Sequence, residues 1–227
     1  MGIPVLILGE SGSGKSTSLR NFEQDEIGIF NVASKPLPFR KKLPCANGAT
    51  YQSIMNNLAN ASRRQSLRLA YAIDDSQALM AFAMFSKAKE KGYGKFTDIA
   101  LDFYNLLRFV IDSLPPDCII YFLHHTETTE SGKIKAKTVG KMLDNQLTVE
   151  GLFSIVLLCR TDGTRHWFET QSDGFSTAKS PMDMFPREID NDLKAVDLSI
   201  REYWGLRHPV TPQHAINLRE KENDHVV

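Results

Sequence analysis

The glycine-rich segment near the start of the chain constrains its fold more than any other feature of the sequence. Residues 9–16 read Gly-Glu-Ser-Gly-Ser-Gly-Lys-Ser and match the spacing G-x-x-x-x-G-K-S/T in full. An apolar run at residues 3–8 precedes the segment, and a helical pattern at residues 15–22 follows it. Glycines let successive backbone N–H groups face one anion, and the positive end of the following helix adds to the attraction. The sequence therefore predicts a strand, a phosphate-binding loop and a helix, in that order.

This loop predicts individual roles in nucleotide binding. The Lys15 ammonium is expected to contact the β- and γ-phosphates of ATP, which gives it a catalytic role, and the Ser16 hydroxyl is expected to bind Mg²⁺. The alternative interpretation is a flexible glycine turn that binds nothing. The predicted nucleotide-binding residues are Gly9, Glu10, Ser11, Gly12, Ser13, Gly14, Lys15, Ser16 and Thr17.

Two consecutive carboxylates supply the second half of such a site. Asp74 and Asp75 follow the apolar run at residues 67–73, which predicts that they lie at the end of a buried strand. Asp74 is predicted to hold Mg²⁺ through a water molecule, as a metal ligand together with Ser16. Asp75 is predicted to orient or deprotonate the attacking water as a catalytic residue. Its alternative role is the N-terminal cap of the next helix.

Two adjacent histidines, His124 and His125, end a further apolar run at residues 118–123. In P-loop ATPases with an additional strand, this strand lies between the P-loop strand and the strand that carries the metal-binding aspartate. One of the two histidines is therefore predicted to sense the γ-phosphate as a catalytic residue, and the alternative is a structural histidine. Zinc binding is disfavoured, because neighbouring side chains on a strand point to opposite faces and no cysteine or glutamate completes a cluster.

The order of apolar runs and helical patterns predicts an α/β fold. Strands are expected at residues 3–8, 27–32, 67–73, 118–123, 153–159 and 166–170, and the last two are joined by an Asp-Gly hairpin turn at 162–163. Helices are expected at residues 50–61, from Ser76 to about residue 91, from Thr97 to the Pro115-Pro116 pair, and from residue 190 or 191 to 204. This alternation predicts a mostly parallel central sheet with helices on both faces. Residues 1–205 are expected to form one domain, and residues 206–227 a polar, mobile tail.

Composition excludes several classes of protein. The chain has 227 residues, of which 42% are hydrophobic and 24% charged, so it suits one globular domain and not a disordered chain. The 27 basic residues balance the 27 acidic ones, so any contact with nucleic acid must come from a local patch. No apolar run approaches the ~20 residues that span a bilayer, and the first residues lack the pattern of a secretion signal. Three widely spaced cysteines favour a reducing compartment, so we expect a cytoplasmic protein that does not bind membranes.

The segment after His125 offers such a local patch. Lys133, Lys135 and Lys137 follow small polar residues, and no acidic residue interrupts 131–141. The segment is predicted to be a flexible loop whose lysines bind the phosphates of single-stranded DNA or reach the nucleotide of a neighbouring subunit. Two further candidates for DNA contact are the basic residues at 40–42 and at 63–64, and Tyr93 could stack on a base. A solvated surface is the alternative for each of these residues.

With these motifs located, the chain resembles the phage-encoded P-loop ATPases with a RecA-like core that are often described as single-strand annealing or recombination proteins. The segments that carry the resemblance are GESGSGKST at 9–17, AIDDS at 72–76, FLHH at 122–125, KTVGKMLDN at 137–145 and the strand and hairpin at 153–170. The resemblance implies an ATPase that uses ATP and Mg²⁺, binds single-stranded DNA, works with a single-strand-binding protein, and assembles into a homo-oligomeric ring or filament. A phage origin would place it in the cytoplasm of the host cell. Unlike many RecA-like recombinases, this chain has no acidic residue at 31–34, the end of the second predicted strand.

Three functions remain open at this stage. The first is an ATP-dependent protein of single-stranded DNA annealing or recombination. The second is a nucleotide-gated protein that assembles with a protein partner and hydrolyses ATP weakly. The third, a small-molecule kinase, is disfavoured because the arginines that a kinase lid needs are scattered along the chain.

Overall fold

The computed structural model describes residues 1–66, 68–140 and 148–209, and these contain nine strands, four α-helices and two short 3₁₀-helices. The strands are β1 (Ile3–Gly9), β2 (Ile27–Asn31), β3 (Cys45–Asn47), β4 (Ala70–Asp74), β5 (Ile119–Thr128), β6 (Ile134–Ala136), β7 (Ile155–Thr161), β8 (His166–Glu169) and β9 (Glu188–Asp190). The α-helices are α1 (Tyr51–Arg63), α2 (Ser76–Ser86), α3 (Gly94–Ser113) and α4 (Leu193–Trp204), and the 3₁₀-helices are Ser16–Asn21 and Val149–Leu152.

The strands form one mostly parallel sheet in the order β3-β2-β4-β5-β1-β7-β8-β9, with β6 paired to β5 outside this path. All pairs from β3 to β7 along this order are parallel, and β8 and β9 continue the sheet in the antiparallel direction. β5 lies between β1 and β4, as the sequence predicted for the strand that ends in the two histidines. The carboxyl ends of β1, β2, β4 and β5 therefore meet at one edge, the usual place for a ligand in an open α/β sheet.

The sheet is buried on both faces because its central strands are apolar throughout. Leu6 and Leu8 of β1 pack on the face covered by α1, α2 and α3. Val5 and Ile7 pack on the opposite face, against the helix Ser16–Asn21 and α4. This period of two is the alternation expected of a strand, and continuous apolar runs are typical of parallel sheets covered on both sides. The fold is thus the predicted α/β class with a RecA-like core and a late β-hairpin.

Several predicted boundaries are wrong in ways that have a physical reason. The helix expected at residues 15–22 is only the six-residue 3₁₀-helix Ser16–Asn21. α3 begins at Gly94, so Thr97 lies inside its first turn and does not cap it. α2 is preceded by Asp75 and ends at Ser86, five residues before the expected end, where the exposed polar sequence that follows has no core to cover.

The segment after His125 is a β-hairpin and not the loop that the sequence predicted. β5 continues to Thr128 and turns at Gly132, whose φ of +80° favours glycine, and β6 returns against it. Thr126 lies opposite Ala136, and Glu127 lies opposite Lys135. The β-branched residues of both arms suit this extended pairing.

Some of the sequence-based expectations fall outside the described residues. The predicted motif at 137–145 is described only to residue 140, and the expected tail at 206–227 only to residue 209. The division of the chain at residue 205 therefore stays a prediction. No helix of the described residues is long and apolar enough to cross a membrane.

Candidate nucleotide-binding site

The predicted phosphate-binding loop joins the end of β1 to the helix Ser16–Asn21 at the carboxyl edge of the sheet. Gly12 and Gly14 have φ values of +80° and +101°, a region that side-chain-bearing residues rarely adopt. A Cβ atom at Gly9 would lie 2.4 Å from the Ser13 hydroxyl oxygen, so the curl of the loop also requires glycine at its first position. The glycines that define the motif are therefore used for backbone shape.

The loop opens on a cleft of ≈ 240 Å³ that brings together most of the predicted site. Predicted residues at the cleft are Ser11, Gly12, Gly14, Lys15, Ser16, Thr17, Asp74, Asp75 and His125. Gly9, Glu10 and Ser13 belong to the same loop without lining this cleft, and His124 lies apart from it. One cleft thus collects candidate residues from the P-loop, β4 and β5.

Lys15 is buried and folded back on its own loop. Its ammonium donates hydrogen bonds to the carbonyl oxygens of Gly9 at 2.8 Å and Glu10 at 2.9 Å. Burial lowers the pKa of Lys15, and the nearby carboxylate of Asp75 opposes that shift. The cation is thus held beside the cleft by neutral carbonyls, which a phosphate could replace.

Ser16 and Asp74 are directly joined across the cleft. The Ser16 hydroxyl donates to Asp74 Oδ1 at 2.7 Å. Burial raises the pKa of Asp74, and the hydrogen bond from Ser16 acts against this rise. A hydroxyl and a carboxylate in contact are the hard oxygen donors that Mg²⁺ prefers, so these residues fit the expected cation. The described residues contain no group of three or more His, Cys, Asp or Glu that could hold a metal by itself, so phosphate and water would supply the other ligands.

Asp75 lies between two basic side chains. Its carboxylate accepts from Lys35 Nζ at 2.8 Å and lies 3.1 Å from His125 Nε2. The hydrogen bond with His125, followed by the bond from Lys35, holds the pKa of Asp75 well below its usual range. The backbone of Asp75 is left-handed at φ 59°, and its side chain makes no capping hydrogen bond to α2. The structure therefore places this carboxylate in the cleft and gives it no capping bond, and its catalytic role stays a prediction.

The two histidines have different surroundings because they alternate along β5. His125 lines the cleft beside Asp75. His124 is fully buried: its Nδ1 lies 2.9 Å from the Ser76 hydroxyl, and its Nε2 lies 2.8 Å from the Lys137 carbonyl oxygen. Burial lowers the pKa of His124 to about 4. Of the two candidates, only His125 is placed where it could sense a phosphate.

The three candidate lysines lie on the β5–β6 hairpin and not in the cleft. Lys133 and Lys137 are exposed, and Lys135 forms an ion pair with Glu127 at 3.0 Å. The Lys137 N–H donates to the His125 carbonyl oxygen at 2.9 Å, while the Lys137 carbonyl is the partner of the His124 ring. The Lys137 backbone, at the base of the hairpin, is thus hydrogen-bonded to both histidines of β5.

Several side chains around the loop had no predicted role. Asn31 at the end of β2 and Lys35, Pro36 and Pro38 after it line the cleft. The sequence marks this region only by the lack of an acidic residue at 31–34, and a lysine four residues past a strand has no sequence signature.

The groups on the other side of the P-loop have no sequence signature either. Cys159 of β7 and His166 of β8 contact the Ser13 carbonyl oxygen, and Asn191, two residues before α4, contacts Cys159.

Comparisons with known proteins give no family for this chain. No protein-family model matches the chain, and no curated protein sequence matches it. Among solved structures it is similar to a KaiC-like protein from the hyperthermophilic archaeon Pyrococcus horikoshii, with a TM-score of 0.41 and 14% sequence identity over 74% of this chain and 76% of that one. The class of protein is therefore defined by the sheet order and the loop described above: a RecA-like P-loop fold with a cleft at its carboxyl edge.

Proposed function

We propose that this protein binds ATP with Mg²⁺ and hydrolyses it, and that single-stranded DNA regulates this activity. The observation that carries the first half is the contact between Ser16 and Asp74 at the mouth of a complete phosphate-binding loop. A hydroxyl at the start of the loop helix and a carboxylate two strands away serve together when a cation bridges nucleotide and protein.

The residues of the cleft divide the chemistry among them. Ser16 and Asp74 would hold Mg²⁺, which supplies neutralisation of charge on the β- and γ-phosphates. The Lys15 ammonium would exchange its hydrogen bonds to the carbonyl oxygens of Gly9 and Glu10 for bonds to phosphate oxygens. The new partners are anionic, whereas the carbonyls are neutral.

In this proposal, Asp75 acts on the attacking water, since its carboxylate lines the cleft. In the proposed step the water oxygen bonds to the γ-phosphorus, and the bond from that phosphorus to the β–γ bridging oxygen breaks. ADP leaves with the electron pair of the broken bond, and a proton of the water passes to an oxygen of the released phosphate. The depressed pKa of Asp75 makes it a weak proton acceptor, so orienting the water suits it better than removing the proton. His125, bonded to the same carboxylate, would relate the state of the γ-phosphate to β5.

The proposal for single-stranded DNA rests on the β5–β6 hairpin. The ammonium groups of Lys133 and Lys137 are exposed on this hairpin, whose first strand, β5, also carries His124 and His125. Phosphate contacts of this kind bind DNA without reading its sequence. Assembly into a ring or filament, and cooperation with a single-strand-binding protein, belong to the same proposal.

The nucleotide part is tested with Asp74→Asn, which keeps the size of the side chain and removes its charge. We expect Mg²⁺-dependent binding of ATP to weaken by about tenfold or more, while binding measured in EDTA changes little. Asp112→Asn, on the exposed end of α3, is the control and should match the parent in both conditions. Equal losses with and without Mg²⁺ would contradict the metal-binding role.

The DNA part is tested with two variants that each remove two exposed positive charges. Lys133→Ala with Lys137→Ala should lower the affinity for an oligothymidylate and flatten its dependence on salt, whereas Arg40→Ala with Lys42→Ala should not. The reverse result would move the DNA contact to residues 40–42. An ATPase rate that ignores DNA would favour the nucleotide-gated assembly protein, and phosphate transfer to a small acceptor would favour a kinase.

A further inference from the structure

The side of the P-loop toward β7 and β8, away from β5 and β4, carries a hydrogen-bond network of its own. The carbonyl oxygen of Ser13 accepts from His166 Nδ1 at 2.8 Å and from Cys159 Sγ at 2.9 Å. Asn191 Nδ2 donates to Cys159 Sγ at 3.1 Å. Cys159 and Asn191 are buried, and His166 is half-buried. Two donors from two strands thus converge on one backbone oxygen.

The chemistry of these groups determines which atom donates each hydrogen bond. A carbonyl oxygen only accepts, so His166 carries its proton on Nδ1 and the Cys159 thiol donates its S–H. Burial raises the pKa of Cys159 to about 11, so the thiol keeps its proton in neutral solution. Asn191 is held in turn by Arg20, whose Nη1 donates to the Asn191 carbonyl at 2.6 Å. Arg20 belongs to the helix that follows the loop, so the network connects Ser13 of the P-loop with that helix.

The consequence concerns the peptide between Ser13 and Gly14. This peptide is trans, so its N–H lies on the edge opposite its C=O. With the Ser13 oxygen held toward β7 and β8, the Gly14 N–H points the other way, and Gly14 lines the cleft. Glycine at φ +101° does not restrain the rotation of this peptide by itself.

The packing agrees with this role. A Cβ atom at Gly14 would lie 2.9 Å from His166 Nδ1 and 3.4 Å from Asn191 Nδ2. The histidine ring therefore lies directly against the glycine whose N–H it orients.

We propose that His166 and Cys159 are positioning residues of the nucleotide site, which hold the Ser13–Gly14 peptide so that the Gly14 N–H faces a phosphate. The inference rests on the proposed function and names no contact between these side chains and the nucleotide. A hydrogen bond from an N–H to a phosphate group that is not transferred has the same strength in the ground state and in the transition state. Loss of the clamp should therefore weaken nucleotide binding and leave turnover at saturating ATP nearly unchanged.

The experiment compares substitutions that keep or remove the donor. His166→Asn places an amide N–H near the position of Nδ1, and His166→Leu fills space without a donor. We expect the dissociation constant for a non-hydrolysable ATP analogue, and the KM for ATP, to rise about tenfold in His166→Leu and to stay within about twofold of the parent in His166→Asn. The value of kcat should stay within about twofold in both. Trp167→Phe is the control on the same strand, because the Trp167 indole N–H has no hydrogen-bond partner among the described residues.

Cys159 provides an independent pair of variants if a change at His166 disturbs folding. Cys159→Ser keeps an O–H donor and should bind the analogue more tightly than Cys159→Ala, with both unfolding cooperatively. Binding by His166→Leu and Cys159→Ala that equals the parent would overturn the positioning role and leave the proposed function intact. Equal weakening by His166→Asn and His166→Leu would also overturn it. A parent protein that binds no nucleotide would overturn both proposals together.

Discussion

The two ends of the central sheet each carry charged side chains, and their surroundings differ. At the amino ends of β4 and β5, Arg201, Asp197 and Tyr121 are completely buried. At the carboxyl ends, Asp75 keeps 15% of its side chain exposed and its partner Lys35 keeps 69%. One cluster is sealed inside the core, and the other opens on the cleft.

The buried cluster is saturated with hydrogen bonds. Arg201 uses all five of its N–H donors: two on Asp197 and one each on the carbonyl oxygens of Leu69, Asp117 and Arg207. The Tyr121 hydroxyl donates to Asp197 at 2.9 Å. Arg201 therefore joins α4 to the approaches of β4 and β5 and has no donor left for a ligand.

The open cluster holds its charges by bonds that a ligand can replace. Lys15 is bonded to two neutral carbonyls, and Lys35 reaches Asp75 from an exposed position. Burial of charged side chains therefore does not by itself identify a ligand-binding site. What distinguishes the cleft is the kind of bond: an anionic ligand can replace the neutral partners of Lys15, whereas every N–H donor of Arg201 is already used inside the core.

Breaking the saturated cluster should give the largest effect. Arg201→Leu leaves Asp197 buried without a cation, and we expect the free energy of unfolding in urea to fall by about 3–5 kcal/mol. The double change Asp197→Leu with Arg201→Leu should recover part of this loss, because no charge then remains unpaired. A single variant as stable as the parent would show that the cluster does not hold these segments together.

The same kind of change in the open cluster should act on activity and spare the fold. Lys15→Ala is expected to lower the rate of ATP hydrolysis by at least about a hundredfold, since the cation proposed to contact the transferred phosphate is lost. Because burial lowers the pKa of Lys15, its charged form is disfavoured in the folded protein, and the variant should unfold at an unchanged or higher urea concentration. Hydrolysis of ATP by Lys15→Ala at the parent rate would contradict the proposed nucleotide-binding site.

The buried imidazole of His124 should make the free energy of unfolding depend on pH. Its folded pKa of about 4 is below the ordinary 6.5, so folding favours the neutral ring. The resulting stability is complete above pH 6.5 and is lost as pH falls toward 4. Between pH 7 and 5 this group should lower the free energy of unfolding by about 2 kcal/mol. Urea titrations of the parent and of His124→Gln should differ in slope over this range, and parallel curves would refute the prediction.

The smallest expected effect concerns Asp75. Asparagine tolerates the left-handed backbone as well as aspartate does, so Asp75→Asn should not strain the chain. We expect turnover to slow by about tenfold while ATP binding is retained, because the role proposed for this carboxylate is to act on water and not on the phosphates. Loss of binding with unchanged turnover per bound ATP would assign Asp75 a different role.

The loop at 9–16, the central strands and the helical faces could all be predicted from the residues alone. Each of these depends on local properties: glycines where φ must be positive, as at Gly12 and Gly14, and apolar side chains at a period set by the element. The positions of Lys15, Ser16 and Asp74 followed from the same patterns. The α/β class with its additional strand followed from the order of these elements.

The contacts between distant groups depend on the packing of the folded chain. Adjacent residues of a strand point to opposite faces, so one of two equivalent histidines had to enter the cleft, and the packing of β5 between β1 and β4 selected His125. The partner of Asp75 is forty residues away at Lys35, and the donors on Ser13 come from Cys159 and His166. Such contacts have no local signature, because they depend on which strands become neighbours and not on the residues that flank each side chain.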